Sequence, residues 1–187
     1  MNGHVKIYHK KKYKGIILNN DSWFDIDTGI SSKEYIPINN NDKEKYIENI
    51  LSSKKFGYEL ESKPAVSEVY NLMEKSYKNF EKIRKKINWI SNTIIILKTH
   101  DDNNEELMVG ISCNGKGINK INKNNLEELE QYMIISLDIR LLNWLLIGPE
   151  KANWSNADLG SHLKYDRVGS VYKRGLFYCL NHFFNVK

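Results

Sequence analysis

From Pro64 onward an apolar residue recurs every three or four positions: Val66, Val69, Met73, Tyr77, Phe80, Ile83, Ile87 and Ile90. That period puts them on one face of an α-helix, with Lys75, Lys78, Lys82, Lys85 and Lys86 on the opposite face. Proline suits the first helical position, because its missing N–H would have no partner there. The stripe predicts roughly seven turns, about 40 Å of helix at 1.5 Å per residue, ended by Ser91-Asn92.

The layer for that helix to pack on comes from two predicted hairpins. In the first twenty residues Val5 and Ile7 alternate with polar neighbours. A lysine-rich bend follows, then Gly15-Ile16-Ile17-Leu18 and the turn signal Asn19-Asn20-Asp21. The second hairpin pairs the β-branched run Thr93 to Leu97 with Leu107 to Ser112, across a loop at Asp101 to Asn104. Trp23, Phe24 and Ile26 form a short strand or an ordered loop among acidic residues. Asp42 is a candidate cap for a helix running to Ser52, with Tyr46, Ile47, Ile50 and Leu51 on one face.

Beyond a polar connection from Gly115 to Asn124, the spacing of Leu126, Leu129, Met133, Leu137, Leu141 and Leu145 predicts a second long helix from Asn125 to Gly148-Pro149. Shorter helices are expected near residues 156–164 and 170–184. The expectation is one α+β domain over residues 1–187: an antiparallel sheet of two hairpins against two long amphipathic helices, with a helical C-terminal segment.

With 187 residues, 41% of them hydrophobic and 11% aromatic, the chain has enough apolar side chain for a core, which excludes a disordered chain. A charged fraction of 27% and a mean hydropathy of −0.56 exclude an integral membrane protein. The apolar stretch from Met133 to Ile147 is too short to span a bilayer. No apolar segment follows the basic start in the manner of a secretory signal. Cys113 and Cys179, the only cysteines, make neither a disulfide scaffold nor a zinc site and suit a reducing compartment. A cytoplasmic location follows as the expectation. The net charge of +5 points to an anionic partner, but arginine occurs only at Arg84, Arg140, Arg167 and Arg174. Lysine is a hydrated point charge, less suited than arginine to forked recognition of phosphate.

Catalytic grammar is sparse. Asp21, Asp25 and Asp27 invite a cation, but an EF-hand loop begun at Asp21 would need glycine and glutamate where Ile26 and Ser32 stand. Glu59-Leu60-Glu61-Ser62-Lys63 has the acid-x-lysine phrasing of metal-dependent nucleases, yet Gly57 and Pro64 flank it as a loop entering a helix. The histidines (His4, His9, His100, His162 and His182) show no metal spacing, and Cys113 reads as a core thiol. No cofactor, metal or enzymatic activity is expected. The run from Ala157 to Leu163 and on to Arg174 has loose helix-turn-helix phrasing, with Arg167, Lys173 and Arg174 for phosphates and Tyr172 for a base edge.

Charge segregates along the chain. Acidic residues collect at 21–27, 101–106 and 127–130, and basic ones at the start, on the long helix and after Lys164. An acidic surface with an aromatic anchor such as Trp23 or Trp154 suits docking of a basic protein. Taken with the N-terminal hairpin, the Trp23-Phe24-Asp25-Ile26-Asp27 segment and the amphipathic helices, this profile resembles that of bacterial immunity proteins of contact-dependent growth inhibition. The resemblance implies one-to-one binding of a cognate toxin domain, often a nuclease, with its active site or substrate surface blocked. Trp23, Asp25, Asp27, Asp101, Asp102 and Glu105 are the expected partner-binding residues. Nucleic-acid binding through the C-terminal basic segment is the alternative.

Overall fold

The computed structural model describes residues 16–102, 105–169 and 173–186, which group into two compact units, Met1–Lys54 and Lys55–Lys187. The expected first hairpin falls mostly on residues 1–15, outside the described residues.

In the first unit, residues 16–19 have no regular structure, and Phe24 and Ser31 form a single antiparallel bridge around a loop, so the Trp23 segment is a loop and no strand. Helix α1, Asn40–Tyr46, is capped by Asn39, whose side-chain oxygen accepts the Asn41 N–H; Asp42, the expected cap, lies inside the helix. A π-helical turn, Ile47–Leu51, follows. Its Ile47, Ile50 and Leu51 are exposed, as is Tyr46.

The second unit carries the core. After a 3-10 turn at Gly57–Leu60, helix α2 spans Val66–Lys86 and buries Val69, Met73 and Phe80. It stops short of the predicted end because Asn88 takes a left-handed conformation, with φ of 48°. Trp89 N–H then reaches back to the Arg84 carbonyl and Asn88 N–H to that of Lys85, a Schellman closure. Arg84 secures this end: it forks onto both carboxylate oxygens of Glu81 at 2.7 Å and donates to the Trp89 carbonyl at 2.8 Å.

Strands β1 (Ile94–His100), β2 (Glu106–Ser112) and β3 (Ile118–Lys120) form a meander. The short helix α3, Lys123–Glu127, carries the chain across to β4, Tyr132–Ser136. Helices α4 (Ile139–Ile147) and α5 (Trp154–Leu159) lead to β5, Lys164–Val168, and helix α6 is Arg174–Leu180. The strand order is β3-β2-β1-β4-β5, with β1 and β4 parallel and every other pair antiparallel.

The α+β class therefore stands, with three corrections of detail. Among the described residues the sheet is five-stranded and mixed, with β1 and β4 parallel, where an antiparallel sheet was expected. The second long helix does not form: its sequence divides into α3, β4 and α4. In β4 burial alternates, Met133 and Ile135 inward, as a strand with one buried face requires. Asp138 then restarts a helix, its carboxylate accepting the Arg140 N–H. The segment expected to be helical near residues 156–164 holds α5 and the start of β5, and the last helix is shorter than expected.

One sheet face, with Ile95, Leu97, Val109, Ile111, Met133 and Ile135, forms the core with α2, α4 and α6. The register sets Ile95 between Ile111 and Met133, and Leu97 between Val109 and Ile135. Ile96 of β1 and Met108 of β2, on the other face, are buried as well. Gly110 on that face is covered by Ile121, whose Cδ1 a β-carbon there would meet inside contact distance.

Candidate functional site

The predicted partner-binding residues fall on two turns, one in each unit. In the first unit Asp25 organises its own loop: Oδ1 accepts the N–H groups of Asp27 and Thr28, each at 2.9 Å. The Thr28 and Asp27 amides hold the Asp25 carboxyl below its usual pKa. Asp27 is exposed, and Trp23 is 61% exposed. Here Asp25 serves the turn, while Trp23 and Asp27 face solvent.

In the second unit Asp101, Asp102 and Glu105 share the β1–β2 turn. Asp101 Oδ1 accepts the Glu105 N–H at 2.8 Å, and Glu105 is exposed. Lys63 approaches from the segment before α2, pairing with Asp102 at 3.3 Å and donating to the Asp101 carbonyl at 3.1 Å. The next acid, Glu106, is drawn into the sheet by Lys98 at 2.7 Å and lies 3.4 Å from His100. The structure thus places Asp101, Asp102 and Glu105 at one connection, with Asp101 and Glu105 joined by two hydrogen bonds.

The acid-x-lysine segment is structural. Glu59 Oε2 accepts the Phe56 N–H, Glu61 accepts the Trp144 indole N–H at 2.7 Å, and Lys63 serves the acidic turn. Among the described residues no three His, Cys, Asp or Glu side chains converge as a metal site would require. Burial pushes the Cys113 thiol up to about 12 and that of Cys179 to about 11, the opposite of an activated nucleophile.

The helix-turn-helix phrasing folds differently. Ala157 to Leu159 end α5, Arg167 lies in β5, and only Arg174 of the three cations starts a helix. Lys173 is occupied, donating to Ser91 Oγ, Thr93 Oγ1 and Gln131 Oε1 at 2.9, 3.2 and 3.2 Å. Tyr172 is outside the described residues. The phrasing failed because Lys164 to Val168 pairs with an open edge of β4, a long-range contact no local motif encodes.

An aromatic hollow of about 310 Å³ is a feature that sequence patterns missed, formed by Phe56, Tyr58, Trp144 and His162 with Lys151 and Asn156 at its rim. His162 sits edge-on to Phe56 with ring centres 4.4 Å apart, and its Nδ1 is 3.1 Å from the Tyr58 hydroxyl. The turn delivering it places Ser161 at φ of 59°. Lys151 lies 5.3 Å over the Trp144 ring. These residues come from three distant segments, so no spacing signals them.

No family model and no curated protein matches the chain. Among solved structures, sterol carrier protein 2 from Yarrowia lipolytica in its apo form is similar over 61% of this chain and 88% of that one. The identity is 15% and the TM-score 0.39, a likeness that carries no argument about this chain. Among the described residues no helix is long and apolar enough to cross a membrane.

Proposed function

We propose that this chain is a non-catalytic inhibitor, an immunity protein that binds a toxin domain of the nuclease class in the bacterial cytoplasm and covers its active site or substrate surface. The observation that supports the reading is the grouping of Asp101, Asp102 and Glu105 at the β1–β2 connection, where Asp101 accepts the Glu105 N–H and Lys63 pairs with Asp102. A surface that binds phosphates is basic, and carboxylates grouped between two strands complement it. In the first unit, taken by itself, Trp23 is an exposed aromatic side chain on the loop that carries Asp25 and Asp27, of the kind that dominates interface energy.

The test is size-exclusion chromatography with the toxin domain encoded by the neighbouring upstream gene, at low and at about half-molar salt. A one-to-one complex at both salts is expected, weakened at least tenfold by Asp102→Lys with Glu105→Lys. A complex indifferent to that reversal sinks the acidic turn as the interface. No complex, with co-purifying nucleic acid that salt strips away, replaces the reading by nucleic-acid binding.

A further inference from the structure

Strand β5 closes one side of the sheet, and among the described residues it pairs only with β4. In an antiparallel pair alternate residues turn their amides toward the neighbour, so the others present N–H and C=O groups outward. Tyr165 and Arg167 stand opposite Ile135 and Met133 and so share the helix-covered face. There they line a groove of about 430 Å³ with Trp154, Leu159, Leu163 and Phe177. Leu159 is 84% exposed at its mouth, a large apolar side chain left in solvent.

The charge in this groove is uneven. The Arg167 guanidinium carbon lies 5.2 Å from the centre of the Tyr165 ring and 5.9 Å from that of Phe177. Two rings thus hold a planar fork in place, and the described residues give it no carboxylate. Asp158, the acid of the groove, accepts the Tyr165 hydroxyl at 2.8 Å. The groove therefore combines main-chain groups at a strand edge, an apolar wall and a positioned cation.

We propose that β5 and this groove receive an extended, acidic segment of a partner protein as a sixth strand. Side chains of an added strand that face the helices recur every second residue, about 7 Å apart. The one opposite Arg167 is a carboxylate, forked by the guanidinium; the one opposite Tyr165 is apolar and covers Leu159 and Leu163. Main-chain pairing supplies affinity without sequence demands, and the alternate side chains supply selectivity. This surface is separate from the acidic turn, and its test does not involve the toxin domain.

The probe is a phage-displayed library of random dodecapeptides selected on the full chain. Enriched sequences are expected to carry Asp or Glu two positions from Leu, Ile, Val or Phe, and their amide shifts on binding to map to β5 and α6. By fluorescence anisotropy Arg167→Glu should weaken them at least tenfold. Leu159→Lys, a change at an exposed position, should do so independently if the first variant misfolds. The proposal is overturned by absence of enrichment, by peptides whose affinity neither variant changes, or by shifts mapping elsewhere. It is equally overturned if oligothymidylate binds through Arg167 while peptides do not, since the Tyr165–Arg167–Phe177 stack would then be a base platform.

Discussion

Gly175 is a helical glycine in α6, and helix propensity alone says that alanine there should stabilise by about 1 kcal/mol. Packing says otherwise. A β-carbon on Gly175 would stand 2.7 Å from Cδ1 and Cγ of Trp89, inside contact distance of a rigid indole. Overpacking against a ring that cannot flex costs about 1–3 kcal/mol, so the sign reverses. Gly175→Ala is expected to lower stability in urea, and Gly175→Ala with Trp89→Leu to recover part of the loss. A single variant more stable than the parent would refute the close approach. Nothing around Gly175 in the sequence announces this, because Trp89 belongs to the turn after α2. The same holds for Lys173, read as a phosphate contact but spent on Ser91, Thr93 and Gln131.

Elements were legible where one period dominates. The α2 stripe from Val66 and the pairing of β1 with β2 match the spacing of their residues closely. Between Asn125 and Ile147 two periods coexist: Leu126, Leu129, Met133 and Leu137 step as a helix, while Met133, Ile135 and Leu137 step as a strand. The contest is settled by β1, which needs a partner along Ile94 to Lys98 and finds it in β4. Asp138 is the hinge between the outcomes. Burial raises its carboxyl, but the hydrogen bonds and charge of Arg140, which forks onto it at 3.0 and 2.7 Å, hold the net value below the usual range. A folded-state pKa below the unfolded one means that the stabilisation is full above about pH 4 and is lost as pH falls through the folded value. Asp138→Ala should cost about 1 kcal/mol as a cap, and more through the unpaired Arg140. Asp138→Asn should keep much of the cap and lose that pH dependence. Urea titrations of both variants at pH 7 and pH 3 check this; equal losses at both pH values would argue against it.

At the scale of the molecule, the described part of the first unit has no buried residue, whereas the second holds the entire core cluster. A segment without buried apolar contacts opens at little cost in free energy. Lys54 and Lys55 lie exposed where the units divide. Trypsin at low concentration is expected to cut there first and leave a resistant fragment from that point onward, read by mass spectrometry. A first cut within α2, rich in exposed lysines, would contradict the division of stability. Of the candidate site, the acidic turn was legible because a run of acids between two strands is a local signal. The aromatic hollow and the β5 groove were not, since Tyr58 meets His162 and Arg167 meets Phe177 only after the chain has closed. By itself the sequence determined the α+β class, the long helix, the central β1–β2 pair and the exposed acidic turn, because each rests on period and composition within a short window. Tertiary structure alone decided the fate of residues 125–147, the order of the strands and the grooves between elements. Those depend on which open edges and apolar faces remain to be satisfied once the local pieces have formed.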